Sequence, residues 1–198
     1  MKILKAAGLT GLFIVLLLLV YYLHVRFWRV DVVLYSALLD ACIAAATTAV
    51  LMFALRAFAG FSALERLLLV LVWLLGGYAY AISIPTVIDR SLSFYILEKL
   101  EQRGGGIRAN RFADVFTKEY LLEARLVDVR LTEQLQSGTI AIHNGCVRLT
   151  PRGERIAGMS AYFRAHFLPT HRLLMGQYTD DLTDPFRHSV KQVDYQCR

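Results

Sequence analysis

Few residues in this chain have the type and setting for chemistry. The most telling is Asp40, the one charge in the 24-residue apolar run 32–55. A carboxylate in such a run faces protein or water, not lipid. Asp40 therefore reads as a proton relay, a counter-ion or a polar contact to a partner helix. It also reads as an interfacial carboxylate bonded to Ser36, one turn away. Asp89 and Arg90 close the third apolar run. They suit a lipid headgroup or a substrate phosphate, or else they cap the next helix and anchor it at the interface. His143, His166, His171 and His188 show no tight metal-ligand spacing, and Pro169 breaks the register between His166 and His171. Of the three cysteines, Cys42 lies in the second apolar run, and Cys146 and Cys197 lie in the tail. With no CxxC pair they read as free thiols in a reducing compartment, with a Cys146–Cys197 bridge as the alternative for a tail outside the cytoplasm. Cys146 and His143 flank a turn, where a buried structural thiol is expected rather than a nucleophile. No P-loop, GxSxG, HExxH or GxGxxG signature occurs. No catalytic residue, metal or cofactor is expected.

The elements that must position these residues are mostly apolar. Hydrophobic residues make up 56% of the 198-residue chain, and the mean hydropathy is +0.45. Charge is concentrated late. Residues 1–87 hold six Lys/Arg and three Asp/Glu, and residues 88–198 hold sixteen and thirteen. A tail of mixed, nearly balanced sign gives little reason to expect nucleic-acid affinity. Three runs are long enough to cross a bilayer, which takes about 20 residues. The first follows Lys2 and Lys5 and runs uncharged over 6–23, with Tyr21, Tyr22, Phe27 and Trp28 as an interfacial belt. It resembles a signal peptide in outline, but it is long and lacks a small-x-small site, so it is expected to stay as a helix. The second is 32–55, whose Ser36, Ala37, Ala41, Ala44, Ala45, Thr47 and Thr48 suit close helix packing. It should be the middle helix of a bundle with Asp40 inward. The third is 67–88, with Gly76, Gly77, Ala79 and Ala81 on a close-packing face and Pro85 expected to kink or stop it.

In the tail, residues 92–103 read as a helix with Leu92, Ile96 and Leu100 on one face. Asn110 is expected to cap a short helix through Phe116, and Thr117 to cap a longer one over 118–136. Tyr120, Ala124, Val127, Leu131 and Leu135 would form the buried face of that helix. Asn144-Gly145 between two β-branched runs signals a hairpin. Thr150-Pro151 then opens a helix to about Phe167, with Ile156, Met159, Phe163 and Phe167 inward. Residues 173–198 are expected to form a polar tail.

The segments EQLQSG, IAIHNGCVRLT and PRGERIAGM follow one another in the order helix, hairpin, helix. Residues 149–157 resemble the wing-to-helix step of bacterial winged helix-turn-helix proteins, and the likeness covers about 92–167. It implies a small α+β winged-helix-like domain (89–172), which the apolar runs precede as a membrane α-helical anchor of three transmembrane helices (1–88) and the polar tail (173–198) follows. The candidate recognition helix departs from a DNA-binding pattern. It carries Glu119, Glu123, Asp128 and Glu133 against Lys118, Arg125 and Arg130, and acidic groups repel phosphates. Positive residues flanking the runs number five on one side and four on the other, so orientation rests on the resemblance, which favours a cytoplasmic C-terminal domain at the inner membrane. The expected function is a non-catalytic accessory or scaffold subunit of a bacterial-type membrane complex, in contact with the bilayer and a larger integral membrane protein. Two alternatives stay open. One is a membrane-tethered regulator touching DNA through Arg125 and Arg130. The other is a small membrane enzyme or carrier for a lipid-linked substrate, using Asp40, Asp89 and Arg90.

Overall fold

The computed structural model describes residues 2–187 and residue 189. The three apolar runs form helices α1 (Lys2–Phe27), α2 (Val33–Ala54) and α3 (Ala63–Ala81). All three are long and apolar enough to span a membrane, the third as the continuous stretch Ala63–Arg90. As expected, α2 is the middle helix. It packs on both neighbours and buries Ala37, Asp40, Ala41, Ala44, Ala45, Thr48 and Met52. In lipid the gain comes from close packing, so small residues sit where backbones meet. Gly77 of α3 shows this: a Cβ there would lie 2.6 Å from the Cβ of Ala41. Ala37, Ala41, Ala44, Ala45, Thr48, Gly77 and Ala81 are thus consumed inside the bundle, whereas Thr47, Gly76 and Ala79 of the expected faces are exposed.

Trp73 of α3 is fully buried, stacks on Phe13 of α1 and donates its indole N–H to Thr10 Oγ1 at 3.1 Å. At one end of the bundle, Lys2 pairs with Glu65 at 3.0 Å, and Lys5 donates to the carbonyl of Ala57 at 2.5 Å. Ser62 and Glu65 form a reciprocal capping box that starts α3. Pro85 does not stop the third span. It sits in a π turn, Ile82–Thr86, after which α4 (Val87–Arg90) completes the helix. Proline lacks an N–H and crowds the carbonyl one turn back, and a wider turn relieves both.

By compactness the chain divides into the units Met1–Leu126 and Val127–Arg198. The division falls inside the segment 89–172. In the first unit, Ser91 rather than the Asp89–Arg90 pair caps α5 (Leu92–Gln102), accepting from the Phe94 N–H. Leu92, expected on the buried face, is exposed. Asn110 lies within a 3₁₀ turn (Ala109–Arg111) and caps nothing. Thr117 lies within a second π turn (Val115–Tyr120) between α6 (Phe112–Asp114) and α7 (Leu121–Glu123). Its hydroxyl donates to Ala113 O, a back-bond that leaves it unavailable as a cap. The expected long helix over 118–136 is broken at Arg125, whose φ is 45°. α8 (Leu126–Gln136) follows.

Lys99, buried on α5, ties this unit together. It donates to Glu123 at 2.7 Å and pairs with Glu119 at 2.9 Å. Tyr95 also donates to Glu123, and Arg103 to Glu119. Hydrogen bonds from Lys99 hold both carboxyls below the usual range, and the same bonds, to Glu123 first and then to Glu119, raise Lys99. The carboxyls' folded values lie below the unfolded value of about 4.3. Their stabilisation is therefore complete above it and is lost as pH falls through the folded values. Amide protection factors over 92–123 in the solubilised chain should stay level from about pH 7 to 5 and drop in the acid range below. Lys99→Met should lower protection at neutral pH and remove the acid step. Unchanged protection in that variant would show the clamp to be idle.

In the second unit, β1 (Ile140–His143) and β2 (Cys146–Leu149) pair antiparallel with Ile140 opposite Leu149. Asn144 and Gly145 take the positive φ values of 51° and 75° that the turn needs. Thr150 caps α9 (Pro151–Phe167) by accepting from Gly153 N–H, with proline at the first turn. A further hairpin, β3 (Arg172–Leu174) with β4 (Gln177–Thr179), lies at the start of the segment expected to be a polar tail. The remainder of that segment, 188 and 190–198, lies outside the described residues. The inward face expected for α9 is not covered: Ile156, Met159, Phe163 and Phe167 are exposed by 42% to 66%. Val127 and Leu135 of α8 are exposed as well. These helices close no core among the described residues of their unit.

Candidate intramembrane site

The hairpin between α1 and α2 is short, so the last turn of α1 lies beside the first two turns of α2. Asp40 stands about 10 Å along α2 from Val33, within a helix long and apolar enough to span a membrane. It is 1% exposed. His24 of α1 meets it, with Nδ1 2.7 Å from Oδ1. Asp40 thus bonds a residue of the neighbouring helix, not Ser36, which lies half-buried one turn away. A lone carboxylate in lipid is costly, and a His partner removes the cost. The 2.7 Å separation sits at the short end of charge-assisted N–H···O bonds.

The pair satisfies only half of Asp40. Oδ2 is buried and has no hydrogen-bond partner. Asp40 is one of the residues around a cavity of about 250 Å³, with Val20, His24, Trp28, Leu39 and Ile43. Trp28 stands edge-on to His24, with centroids 6.4 Å apart. What the arrangement offers is one buried acceptor, one imidazole and an indole at the mouth of an apolar groove.

The other candidate residues are scattered. Asp89 and Arg90 touch each other at 3.9 Å at the end of the third span. Arg125 sits at the break between α7 and α8, while Arg130 lies on α8 in an ion pair with Glu133 at 2.9 Å. The two arginines do not share one recognition helix. His143 and Cys146 face each other across the first hairpin, as expected. Cys146, however, is disulfide-bonded rather than a free thiol, whereas Cys42 is free and exposed. Cys197 and His188 lie outside the described residues. His166 bonds Tyr162 O and stacks on that ring. Among the described residues no cluster of His, Cys, Asp or Glu is placed to hold a metal.

His24 and Trp28 are the site residues that sequence reasoning does not reach. The available signal is slight: His24 alone interrupts an otherwise apolar turn just before the hairpin. Pairing it with Asp40 requires the register between two helices, which neither helix carries by itself.

Compared with known proteins, the chain matches no family model, no curated protein and no solved structure.

Proposed function

We propose that this chain is a non-catalytic accessory or scaffold subunit of a membrane protein complex. Three helices anchor it, and its winged-helix-like C-terminal module makes the protein contact. The observation that carries this reading is the uncovered stripe Ile156, Met159, Phe163 and Phe167 on α9. An exposed contiguous apolar face is what interaction surfaces look like, and water opposes leaving it bare. The order helix, hairpin, helix supports the winged-helix-like reading. The Arg130–Glu133 pair weighs against a phosphate contact by that arginine.

The test is purification in mild detergent from the native host. A second membrane protein is expected in fixed ratio, and Met159→Glu with Phe163→Glu should lose it while far-ultraviolet circular dichroism stays unchanged. Each such anchor typically contributes at least about 2 kcal/mol, so the loss should exceed thirtyfold in affinity. A lone monomer in both forms would refute the reading.

The side of the membrane is a separate matter. A disulfide at Cys146 supports a C-terminal module on the oxidising face of an inner (cytoplasmic) membrane, opposite to what the winged-helix likeness suggests. Lys2, Lys5, Arg56 and Arg66 then face the cytoplasm. An alkaline phosphatase fused after residue 198 should be active, and a fluorescent reporter that matures only in the cytoplasm should be dark there. The reverse pattern would place the module inside.

A further inference from the structure

The groove at His24 and Asp40 is not used by the protein contact just proposed. Its residues are ordered by depth. Trp28, one residue past α1, lies nearest the hairpin, followed by His24 and Val20 on α1, over about 12 Å. On α2, Leu39 and Asp40 precede Ile43. Trp28, His24 and the Leu39–Asp40 pair therefore stand nearer the hairpin, and Val20 and Ile43 lie deeper. A lipid-like molecule in that leaflet has the same order, head outward and chain inward.

The head that fits is set by Asp40. Its buried Oδ2 has no donor, and a buried acceptor left unmade costs about 1–3 kcal/mol. A donor from the groove removes that cost. Trp28 also lines the groove, and an aromatic neighbour suits a cationic head. An anionic head would meet the carboxylate instead. The volume of about 250 Å³ accommodates a head and the first part of a chain, and is smaller than most sites that enclose a whole drug-sized ligand. The geometry points to this groove as a binding site for an ammonium head carried on an apolar chain. That chemistry is shared by an amine-headed bilayer lipid and by a free long-chain amine.

The chain holds two tryptophans, and Trp73 is fully buried, so a quencher in the groove reports on Trp28. The probe is dodecylamine brominated on its chain, added to the full chain in phosphatidylcholine nanodiscs. Saturable quenching is expected, absent in Trp28→Phe. Asp40→Asn, compared in samples that stay folded by circular dichroism, should raise the half-saturation at least tenfold, and brominated dodecyl sulfate should quench without saturating. Repeating the titration in phosphatidylethanolamine nanodiscs separates the sources. Loss of the amine signal there identifies the lipid head, and its persistence identifies a free amphiphile. Quenching that never saturates, or that ignores Asp40→Asn, overturns the inference. So does a co-purified partner helix whose lysine occupies the groove and is released by Asp40→Asn. Neither result bears on the α9 surface.

Discussion

Replacing His24 by alanine should destabilise the bundle by about 3–5 kcal/mol, the cost of leaving one member of a buried pair uncompensated. His24 Nδ1 is the partner of Asp40 at 2.7 Å, and the remaining carboxylate would be 1% exposed with both oxygens bare. Asp40→Ala alone should cost less, since a lone imidazole can stay neutral and reach the interface. The informative variant is the double change, His24→Leu with Asp40→Leu. Replacing a buried pair by apolar groups of similar volume is often neutral or stabilising, and here the walls are Val20, Leu39 and Ile43. Unfolding in mixed micelles, read from Trp73, should therefore show two damaged single variants and a double variant near or above the parent. A double variant as damaged as His24→Ala would mean that the ring packs rather than pairs.

Gly153→Ala should unsettle the second unit, by about 3 kcal/mol or somewhat more. A Cβ at Gly153 would stand 2.0 Å from the carbonyl oxygen of Thr139 and 3.1 Å from Leu149. Backbone cannot move aside as a flexible side chain can. The approach is held from several directions: Thr150 N–H donates to Thr139 O at 3.1 Å, Thr150 Oγ1 donates to Gly138 O at 2.7 Å, and Gly153 N–H donates back to Thr150. Gly158 on the same helix has open space around it, so Gly158→Ala should be harmless or stabilise by up to about 1 kcal/mol. Amide protection over 140–160 should collapse in the first variant and hold in the second. Equal behaviour of the two would remove the case for a close contact at Gly153.

These expectations rest on features that differ in how far the sequence exposes them. The three spans, the central place of α2 and the inward Asp40 are legible, because bilayer length and small-residue faces act over one helix at a time. The Asn144-Gly145 turn and the Thr150-Pro151 start are legible for the same reason: a few adjacent backbone angles decide them. The break at Arg125 is not, since no glycine or proline announces it and arginine pays a steric penalty for its positive φ. The second hairpin hides likewise behind Met175, whose φ is 48°. Periodicity shows that α9 has an apolar stripe but not what lies against it, so inward and uncovered read alike. The His24–Asp40 pair needs the offset between two helices, and that offset comes from all the packing between them.

The two ends of α1 carry a mechanical consequence. Lys2 and Lys5 hold one end to Glu65 and Ala57, and His24 holds the other to Asp40. A piston stroke of one turn, about 5.4 Å, would rupture every one of these links together. Tilting the three helices as a block strains none of them, so α1 behaves as a strut rather than a plunger.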